Sequence, residues 1–243
     1  EISECLVGSE MCIRDSVSTM NYTESLAYLD SLGKFGIKLG MERVEGLLRE
    51  LGNPEQKIKT VHVTGTNGKG SVTSMITNIL LAANLKVGKF TSPHLVKYNE
   101  RINLNGKDIS DEDFATAITA VKVAADSVVK KGVCEQPTQF EILTAAAFLY
   151  FYLQKVDYAV IEVGMGGLWD STNVITPVVS VITNVALDHT DRCGKTLERI
   201  AMQKAGIIKE KVPLVTAAEG NEALGPIVSL AMFKDCLLYT SDA

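Results

Sequence analysis

Apolar residues recur along the chain at two alternating spacings, one typical of helices and the other of buried strands. Short continuous runs rich in β-branched residues predict strands at "TVHV" (60–63), "KVGKF" (86–90), "DYAVIEV" (157–163), "VVSVIT" (178–183) and "VPLVTA" (212–217). Apolar residues at every third or fourth position predict helices over 22–32, over 41–51, from 72, from 110, over 136–154 and over 195–210. The alternation of helices with fully apolar strands predicts an α/β fold, with a mostly parallel sheet flanked by helices.

A glycine-rich turn joins the first predicted strand to the helix that follows it. The turn reads "TGTNGKGS", and Gly65, Gly68 and Gly70 allow positive φ and a close approach of backbone N–H groups to an anion. The helix adds the positive end of its dipole, Lys69 adds a cation, and Ser71 adds a hydroxyl suited to a metal ion. Gly70 separates Lys69 from Ser71, which departs from the usual spacing of phosphate loops. The turn is predicted to bind a nucleotide phosphate, and a glycine-rich connection without a ligand is the alternative.

Further polar groups follow the carboxyl ends of the later strands. Ser92, Glu162 and His189 each come at or shortly after the end of an apolar run. Because the carboxyl ends of parallel strands meet at one edge of a sheet, these side chains and Ser71 predict a metal site beside the phosphate loop. Mg²⁺ prefers oxygen ligands, whereas an imidazole ligand leaves Mn²⁺ open. Taken singly, Glu162 could form a salt bridge at a strand end, and His189 could be a cap or a core residue.

Length and composition are those of an ordinary globular protein. The chain has 243 residues and a formal charge of −5, so it offers no basic face for nucleic acid. The longest apolar run, "ILTAAAFLYFYL" (142–153), is too short to span a bilayer and predicts a buried core helix. Neither a nucleic acid nor a membrane is therefore an expected partner.

Both ends of the chain differ from the rest. Residues 1–16 and 235–243 have no periodicity and resemble translated sequencing-adapter read-through, so both are expected to be non-native tails around an ATP-binding domain at 17–234. Outside these tails, Cys134 and Cys193 are far apart and form no CxxC pair. Such cysteines are typical of a reducing compartment, which predicts a cytoplasmic location.

Short segments in order along the chain carry a family resemblance. They are "HVTGTNGKGS", "TSPHL…NERI", "PTQFE", "EVGMGG…DSTN", "ALDHTD" and "KAGI". Together they resemble the folylpolyglutamate synthase/dihydrofolate synthase family, ATP-dependent amide-forming ligases of the Mur ligase type. The resemblance implies a P-loop NTPase-like central domain and the addition of L-glutamate to folates or dihydropteroate through an acyl phosphate. It covers Met20 to Val228, and the family's C-terminal glutamate-ligase domain is expected to be absent from this chain.

The resemblance also implies roles for individual residues. The family's ATP-binding positions fall on Thr66, Asn67, Gly68, Lys69, Gly70 and Ser71. Its metal-binding positions fall on Ser71, Ser92, Glu162 and His189. Its pterin-binding positions fall on Thr138, Phe140, Glu141, Trp169, Asp170 and Ser171. The implied catalytic residues are Lys69, Glu162, His189 and Lys204. Many members carbamylate the lysine that falls on Lys204, although Gln203 stands here where Glu is usual.

The same resemblance implies the cofactors and partners. They are ATP and Mg²⁺, with Mn²⁺ or K⁺ as alternatives, dihydropteroate or a reduced folate, and L-glutamate; a monomer is expected. Two other functions remain open. A Mur-type ligase acting on a cell-wall nucleotide peptide would not need the segment "TQFE", which the resemblance assigns to the pterin. A non-catalytic P-loop nucleotide binder would need the loop but not Glu162, His189 or Lys204.

Overall fold

A mixed sheet forms the centre of the protein. The computed structural model describes residues 18–33, 40–187 and 194–240. Its strands are β1 (Thr60–Thr64), β2 (Val87–Phe90), β3 (Ile102–Leu104), β4 (Lys107–Asp108), β5 (Tyr158–Glu162), β6 (Val179–Ile182), β7 (Leu214–Thr216) and β8 (Leu238–Tyr239). They lie across the sheet in the order β4-β3-β2-β5-β1-β6-β7-β8. From β2 to β8 in this order the strands run parallel, and β3 and β4 pair antiparallel at one edge.

Helices connect the strands, and polar side chains fix where several of them begin. The helices are α1 (Tyr22–Leu32), α2 (Glu42–Glu50), α3 (Lys69–Ala82), α4 (Asp111–Lys130), α5 (Gln139–Leu153), α6 (Leu197–Ala205) and α7 (Asn221–Phe233), with 3₁₀ helices at Pro54–Lys57, Tyr98–Arg101 and Ser171–Val174. The Ser110 side chain accepts the amide of Asp113 at the start of α4. Asn21 and Thr138 form capping boxes that begin α1 and α5.

Alternate residues of the central strands pack against different helices, so both faces of the sheet are covered. Ala159 and Ile161 of β5 belong to the core that includes α1, α2, α4 and α5. Val160 packs with α3 on the opposite face, and a further cluster joins β6 and β7 to α6 and α7. The apolar run of α5 is buried as predicted, with Phe148 and Phe151 among the largest buried side chains. Within the described ranges, no helix is both long and apolar enough to cross a membrane.

The predicted α/β fold class is confirmed, and the differences from the sequence prediction are local. α3 begins at Lys69, three residues before the predicted start, because the glycine-rich turn already enters the helix after Gly68. The helix predicted over 195–210 ends at Ala205, just before Gly206, a poor helix former. An Asn-Gly turn, Asn105-Gly106, joins β3 to β4, and both of its residues have positive φ, as a two-residue hairpin requires.

The periodicity does not predict two elements near the C-terminus. α7 carries Gly225 and Pro226 in its interior, residues that weaken a helical pattern. β8 pairs in parallel with β7 and lies inside 235–243, the stretch expected to be a non-native tail. Residues 1–16 lie outside the described part of the chain, and the division into tails and one domain stays a prediction.

Candidate active site

The glycine-rich loop lies between the end of β1 and the start of α3, at the carboxyl edge of the sheet. Gly65 has φ +152° and Gly68 has φ +78°, conformations that L side chains rarely adopt. A Cβ on Gly65 would lie 1.8 Å from Thr183 Oγ1, so glycine is needed where the chain passes the end of β6. A Cβ on Gly68 would meet nothing within 4 Å, so the requirement there is one of backbone conformation alone.

Hydrogen bonds to the segment that follows β6 hold the loop in shape. The amides of Thr66 and Asn67 donate to the main-chain and side-chain oxygens of Asn184, at 3.1 and 2.9 Å. Thr183 Oγ1 donates to the Asn67 carbonyl at 2.6 Å, and Thr66 Oγ1 bonds to both the carbonyl and the amide of Ala186. The loop is therefore fixed by the neighbouring strand end before any ligand is bound.

The first turn of α3 presents the groups expected to meet a phosphate. The amides of Lys69, Gly70 and Ser71 belong to this turn, where a helix offers them no acceptor of its own. Lys69 Nζ donates to the carbonyls of Gly65 and Thr66 at 3.0 and 3.1 Å, so the ammonium group lies over the loop. Together with the positive end of the helix dipole, these groups form an anion site.

Glu162 ends β5 and directs its carboxylate toward the start of α3. The side chain is only 4% exposed, and its Oε2 accepts the Ser92 amide at 3.1 Å. A Cβ on Gly70 would lie 3.7 Å from each of its carboxylate oxygens. Burial raises the pKa of Glu162, while the Ser92 amide and the ammonium groups of Lys69 and Lys89 act in the opposite direction. A nearby cation would favour the ionised form of such a buried carboxyl group.

The residues at these strand ends fit a hard divalent cation. Carboxylate and hydroxyl oxygens are the donors that Mg²⁺ prefers. Glu162 supplies a carboxylate, and Ser92, whose main-chain amide donates to that carboxylate, also carries a hydroxyl. Gly70 leaves open the space beside the carboxylate that a larger side chain would fill. Ser71 follows Gly70 in the first turn of α3. His189 lies outside the described residues, so its place at this site stays a prediction.

The segment expected to contact a pterin begins α5 and is tightly bound within the chain. Glu141 Oε2 accepts the Thr138 amide at 2.6 Å, and Thr138 Oγ1 accepts the Glu141 amide at 3.3 Å. Glu141 is 2% exposed, and Arg43 Nε donates to its two carboxylate oxygens at 3.1 and 3.2 Å. These contacts fix the position of the carboxylate and the start of the helix.

Asp170 is held in the same manner on the loop after β5. Its Oδ2 accepts the Met165 amide at 2.9 Å, and its Oδ1 accepts the amide and the hydroxyl of Thr172 at 3.0 and 2.5 Å. Burial raises the pKa of Asp170, and the hydrogen bonds from Thr172 and from main-chain amides lower it. The carboxylate is buried and organises the turn around it.

Two aromatic side chains lie at this loop in different surroundings. Phe140 is half-buried against Phe90, with ring centroids 6.0 Å apart, and a Cβ on Gly164 would lie 2.5 Å from its Cζ. Trp169 is 47% exposed, so one large aromatic surface is open to solvent. Ser171, half-buried, begins the 3₁₀ helix that follows.

Lys204 lies in the last turn of α6, where the helix packs closely on the loop after β5. Lys204 is buried. A Cβ on Gly167 would lie 2.8 Å from the Gln203 carbonyl oxygen and 3.0 Å from that of Lys204. The Leu168 amide donates to the same Gln203 carbonyl at 2.8 Å. The lysine backbone is therefore next to the loop that carries the predicted pterin residues.

Sequence reasoning missed several residues that shape the site. Thr183 and Asn184 hold the phosphate loop, and their only signal is that they are polar and directly follow a buried strand. Arg43 pairs with Glu141 from a helix that carries no motif. The sequence also gives no partner for His62, which is fully buried and whose Nε2 lies 2.8 Å from Thr172 Oγ1.

Known proteins share the sequence and the fold of this chain. The Mur ligase middle domain family matches residues 63–221. The dihydrofolate synthase/folylpolyglutamate synthase of Bacillus subtilis (strain 168) is 47% identical over 206 residues, which are 84% of this chain and 47% of that protein. The chain belongs to the folylpolyglutamate/dihydrofolate synthase family of Mur ligases.

Solved structures of this synthase family have the same fold. An FPGS–AMPPCP–folate complex matches with a TM-score of 0.86 and 42% identity, covering 91% of this chain and 54% of that one. E. coli FolC in complex with DHPP and ADP matches with a TM-score of 0.83 and 32% identity, covering 93% of this chain and 52% of that one. The chain spans about half the length of the synthases that it matches.

Proposed function

We propose that the full gene product carrying this chain is an ATP-dependent ligase that adds L-glutamate to a folate or to dihydropteroate. The observation that carries the proposal is the meeting of three strand ends. Glu162, at the end of β5, accepts the amide of Ser92, which follows β2, and faces Gly70, which follows β1. The family membership supports it. So do the ligands of similar structures, which are AMPPCP with folate in one and ADP with DHPP in the other.

The proposed reaction has two steps. A carboxylate of the acceptor attacks the γ-phosphorus of ATP, the bond from that phosphorus to the bridging oxygen breaks, and ADP leaves. The amine of L-glutamate then attacks the carbonyl carbon of the acyl phosphate; phosphate leaves, the amine loses a proton, and an amide forms. Positioning and electrostatic stabilisation dominate phosphoryl transfer. Lys69 and the first-turn amides of α3 would stabilise the charge on the transferred group, because they converge on the loop.

Glu162 and Ser92 are the residues proposed to hold the metal, with Ser71 and His189 as further ligands. Mg²⁺, when bound, supplies charge neutralisation and orientation for the phosphate oxygens. The oxygen donors favour Mg²⁺, the imidazole leaves Mn²⁺ as an alternative, and K⁺ is a further candidate. Glu162 would hold the metal at the end of β5, between the phosphate loop and Ser92. Its buried carboxylate is already oriented there by the Ser92 amide.

Acceptor binding is proposed for the residues at the start of α5 and on the loop after β5. They are Thr138, Phe140, Glu141, Trp169, Asp170 and Ser171. The exposed face of Trp169 is suited to stack on a flat ring. Glu141 and Asp170 are held in fixed orientations, as charge-assisted hydrogen bonds to ring amino groups require. Phe140 packs against this loop at Gly164.

Lys204 is proposed to be carbamylated. Its amine would attack carbon dioxide, forming an N–C bond and losing a proton, so that a cation becomes an anion able to hold a second metal. Native mass spectrometry of the chain in bicarbonate tests this, with Lys204→Arg as the unmodified control. A mass for the wild-type protein that does not change with bicarbonate contradicts the modification.

A monomer in a reducing, cytoplasmic compartment is the proposed state of the enzyme. Cys134 and Cys236, the cysteines of the described residues, are free thiols, as expected where disulfides do not form. Light scattering coupled to size-exclusion chromatography of the full gene product checks the monomer, and a mass of two or more chains contradicts it.

ADP release by the full gene product tests the proposed function. Dihydropteroate and a reduced folate are each offered with ATP, Mg²⁺ and L-glutamate. We expect ADP release that requires both the pterin acceptor and glutamate, and the preferred acceptor assigns the activity. Release with a cell-wall nucleotide peptide instead of a folate would indicate a different Mur-type ligase. Nucleotide binding without turnover on any acceptor would indicate a nucleotide-binding protein.

A further inference from the structure

A chain of buried hydrogen bonds links β1 to the loop that carries the proposed acceptor residues. His62 Nε2 lies 2.8 Å from Thr172 Oγ1, and Thr172 Oγ1 lies 2.5 Å from Asp170 Oδ1. His62 and Thr172 are both fully buried. Asp170 Oδ2 continues the chain to the Met165 amide at 2.9 Å. A strand residue and a loop are thus joined through side chains alone.

The positions of the protons in this chain follow from what each group can donate. The Thr172 hydroxyl has one hydrogen, and the acceptor at 2.5 Å is the Asp170 carboxylate. Thr172 Oγ1 therefore accepts from His62, whose proton must lie on Nε2. Nδ1 of His62 has no hydrogen-bond partner in the described part of the chain, which agrees with an unprotonated Nδ1. Burial lowers the pKa of His62 to about 3, and nearby Lys209 acts in the same direction, so the ring is neutral.

The same strand holds the same loop at a second point. Thr64 lies two residues after His62 and therefore on the same face of β1. Its Oγ1 donates to the Gly166 carbonyl at 2.6 Å. The next residue, Gly65, begins the phosphate loop. β1 therefore positions two loops. It leads directly into the phosphate loop, and its His62 and Thr64 side chains hold the loop of residues 164–171.

We propose that His62 and Thr172 are positioning residues that hold Asp170 and the 164–171 loop in the shape needed to bind the acceptor. The inference rests on the proposed function, because it concerns the acceptor site of that ligase. Neither residue has to touch a substrate. Loss of the Thr172 hydroxyl leaves the buried Nε2–H of His62 without its partner. It also removes one of the two hydrogen bonds that Asp170 Oδ1 accepts from Thr172, so the loop loses its fixed geometry.

The test compares Thr172→Val, which keeps the shape but removes the hydroxyl, with Thr172→Ser, which keeps the hydroxyl. Thr144→Val is the matched control, since Thr144 is fully buried in α5 and its hydroxyl has no partner in the described part of the chain. For the full gene product, we expect Thr172→Val to raise the KM for the acceptor about tenfold while the KM for ATP changes less than about twofold. Thr172→Ser and Thr144→Val should remain near the wild type.

Two measurements on the 243-residue chain are independent of turnover. Trp169 is the one tryptophan of the sequence and lies next to Asp170, so acrylamide quenching of its fluorescence reports the order of the loop. We expect stronger quenching in Thr172→Val than in Thr144→Val. Nitrogen-15 NMR of His62 should show a neutral ring with its proton on Nε2 in the wild type.

The outcomes separate this inference from the proposed function. Wild-type turnover with a folate, together with equal acceptor KM and equal Trp169 quenching in Thr172→Val and Thr144→Val, overturns the positioning role. A proton on Nδ1 of His62 also overturns it. Absence of folate turnover in the wild type contradicts the proposed function instead, and the quenching and NMR results still decide whether the hydrogen-bonded chain orders the loop. If Thr172→Val does not fold, His62→Gln, which keeps an N–H donor, and His62→Leu, which does not, repeat the comparison.

Discussion

The main-chain amide of Ser92 donates to the Glu162 carboxylate at 3.1 Å, and this contact joins the ends of β2 and β5 beside the phosphate loop. Gly70 faces the same carboxylate from the first turn of α3, with its Cβ position 3.7 Å from both oxygens. A buried carboxylate is thereby held between two neighbouring chain segments. Its surroundings allow folding and ligand binding to be separated by mutation.

Glu162→Gln should keep the fold and lose the proposed metal function. Glutamine retains an oxygen that can accept the Ser92 amide, and burial already disfavours the charge, as the raised pKa of Glu162 indicates. We expect an unchanged or higher Tm for the 243-residue chain. Turnover of the full gene product should fall about 100-fold or more, because a metal ion contributes several kcal/mol to such a step. Glu219→Gln, at an exposed position, is the control. Equal turnover in the two variants would remove Glu162 from the site.

Gly70→Ala should increase stability and weaken binding of Mg²⁺–ATP. The new methyl group would make ordinary van der Waals contact with Glu162, and alanine in a helical turn is favoured over glycine by about 0.5–1 kcal/mol. The same methyl group would occupy the space beside the carboxylate that the cation is proposed to use. Calorimetric titration of the chain with Mg²⁺–ATP checks the loss, and denaturant unfolding checks the gain. Unchanged affinity would show that the cation lies elsewhere.

Gly65→Ala and Gly68→Ala should differ strongly although both residues have positive φ. At Gly65 the added Cβ meets Thr183 Oγ1 at 1.8 Å, whereas at Gly68 it meets nothing within 4 Å. We expect Gly68→Ala to cost about 1–2 kcal/mol from backbone strain and Gly65→Ala about 3 kcal/mol or more. Denaturant unfolding of each variant measures the difference. Adding Thr183→Ala should recover part of the Gly65→Ala loss, and equal costs at the two glycines would contradict the predicted clash.

The parallel sheet and the phosphate loop could be predicted from the sequence because both depend on local patterns. A β-branched run, three glycines, a lysine and a helical repeat follow one another within "TVHVTGTNGKGSVTSMI", so strand, loop and helix are all encoded by neighbours. The convergence of Ser92 with Glu162 follows from strand order alone, since β2 and β5 are adjacent parallel strands with their carboxyl ends at one edge.

The contacts that support the site could not be predicted in this way. Arg43 and Glu141 are 98 residues apart in sequence, and His62 and Thr172 are 110 apart. A glutamate directly before the apolar run of α5 indicates that a partner is needed, but only the packing of α2 on α5 decides which residue supplies it. β8 and α7 were missed because their patterns are short or interrupted by Gly225 and Pro226.

Removing Arg43 should destabilise the chain through the carboxylate that it leaves behind. Glu141 is almost fully buried, and Arg43→Met would leave it without its guanidinium partner, which costs about 3–5 kcal/mol. Adding Glu141→Gln should recover much of this loss, because glutamine is neutral and can still accept the Thr138 amide. Arg49→Met, on the exposed side of the same helix, should change stability by less than about 0.5 kcal/mol. Additive losses in the double variant would contradict a coupled pair.

His62 should make the stability of the chain depend on pH below neutrality. Burial, with a contribution from nearby Lys209, lowers the pKa of His62 from its ordinary value of 6.5 to about 3. The unfolded chain therefore binds a proton between these values and the folded chain does not, so this contribution is complete above 6.5 and is lost as the pH falls toward 3. Between about pH 7 and pH 5 it should lower the free energy of unfolding by about 2 kcal/mol.

The raised pKa values of Glu162 and Asp170 affect stability in the opposite direction. As the pH falls, these two groups bind more protons in the folded chain than in the unfolded chain, which increases the free energy of unfolding. Comparison of the wild type with His62→Gln removes these shared contributions and isolates the histidine. Denaturant unfolding of the 243-residue chain at several pH values measures how the free energy of unfolding changes with pH in the wild type and in His62→Gln. We expect a steeper loss of stability toward low pH in the wild type than in His62→Gln. Parallel curves would mean that His62 takes up a proton equally in the folded and unfolded chains, which its full burial in β1 beside Thr172 argues against.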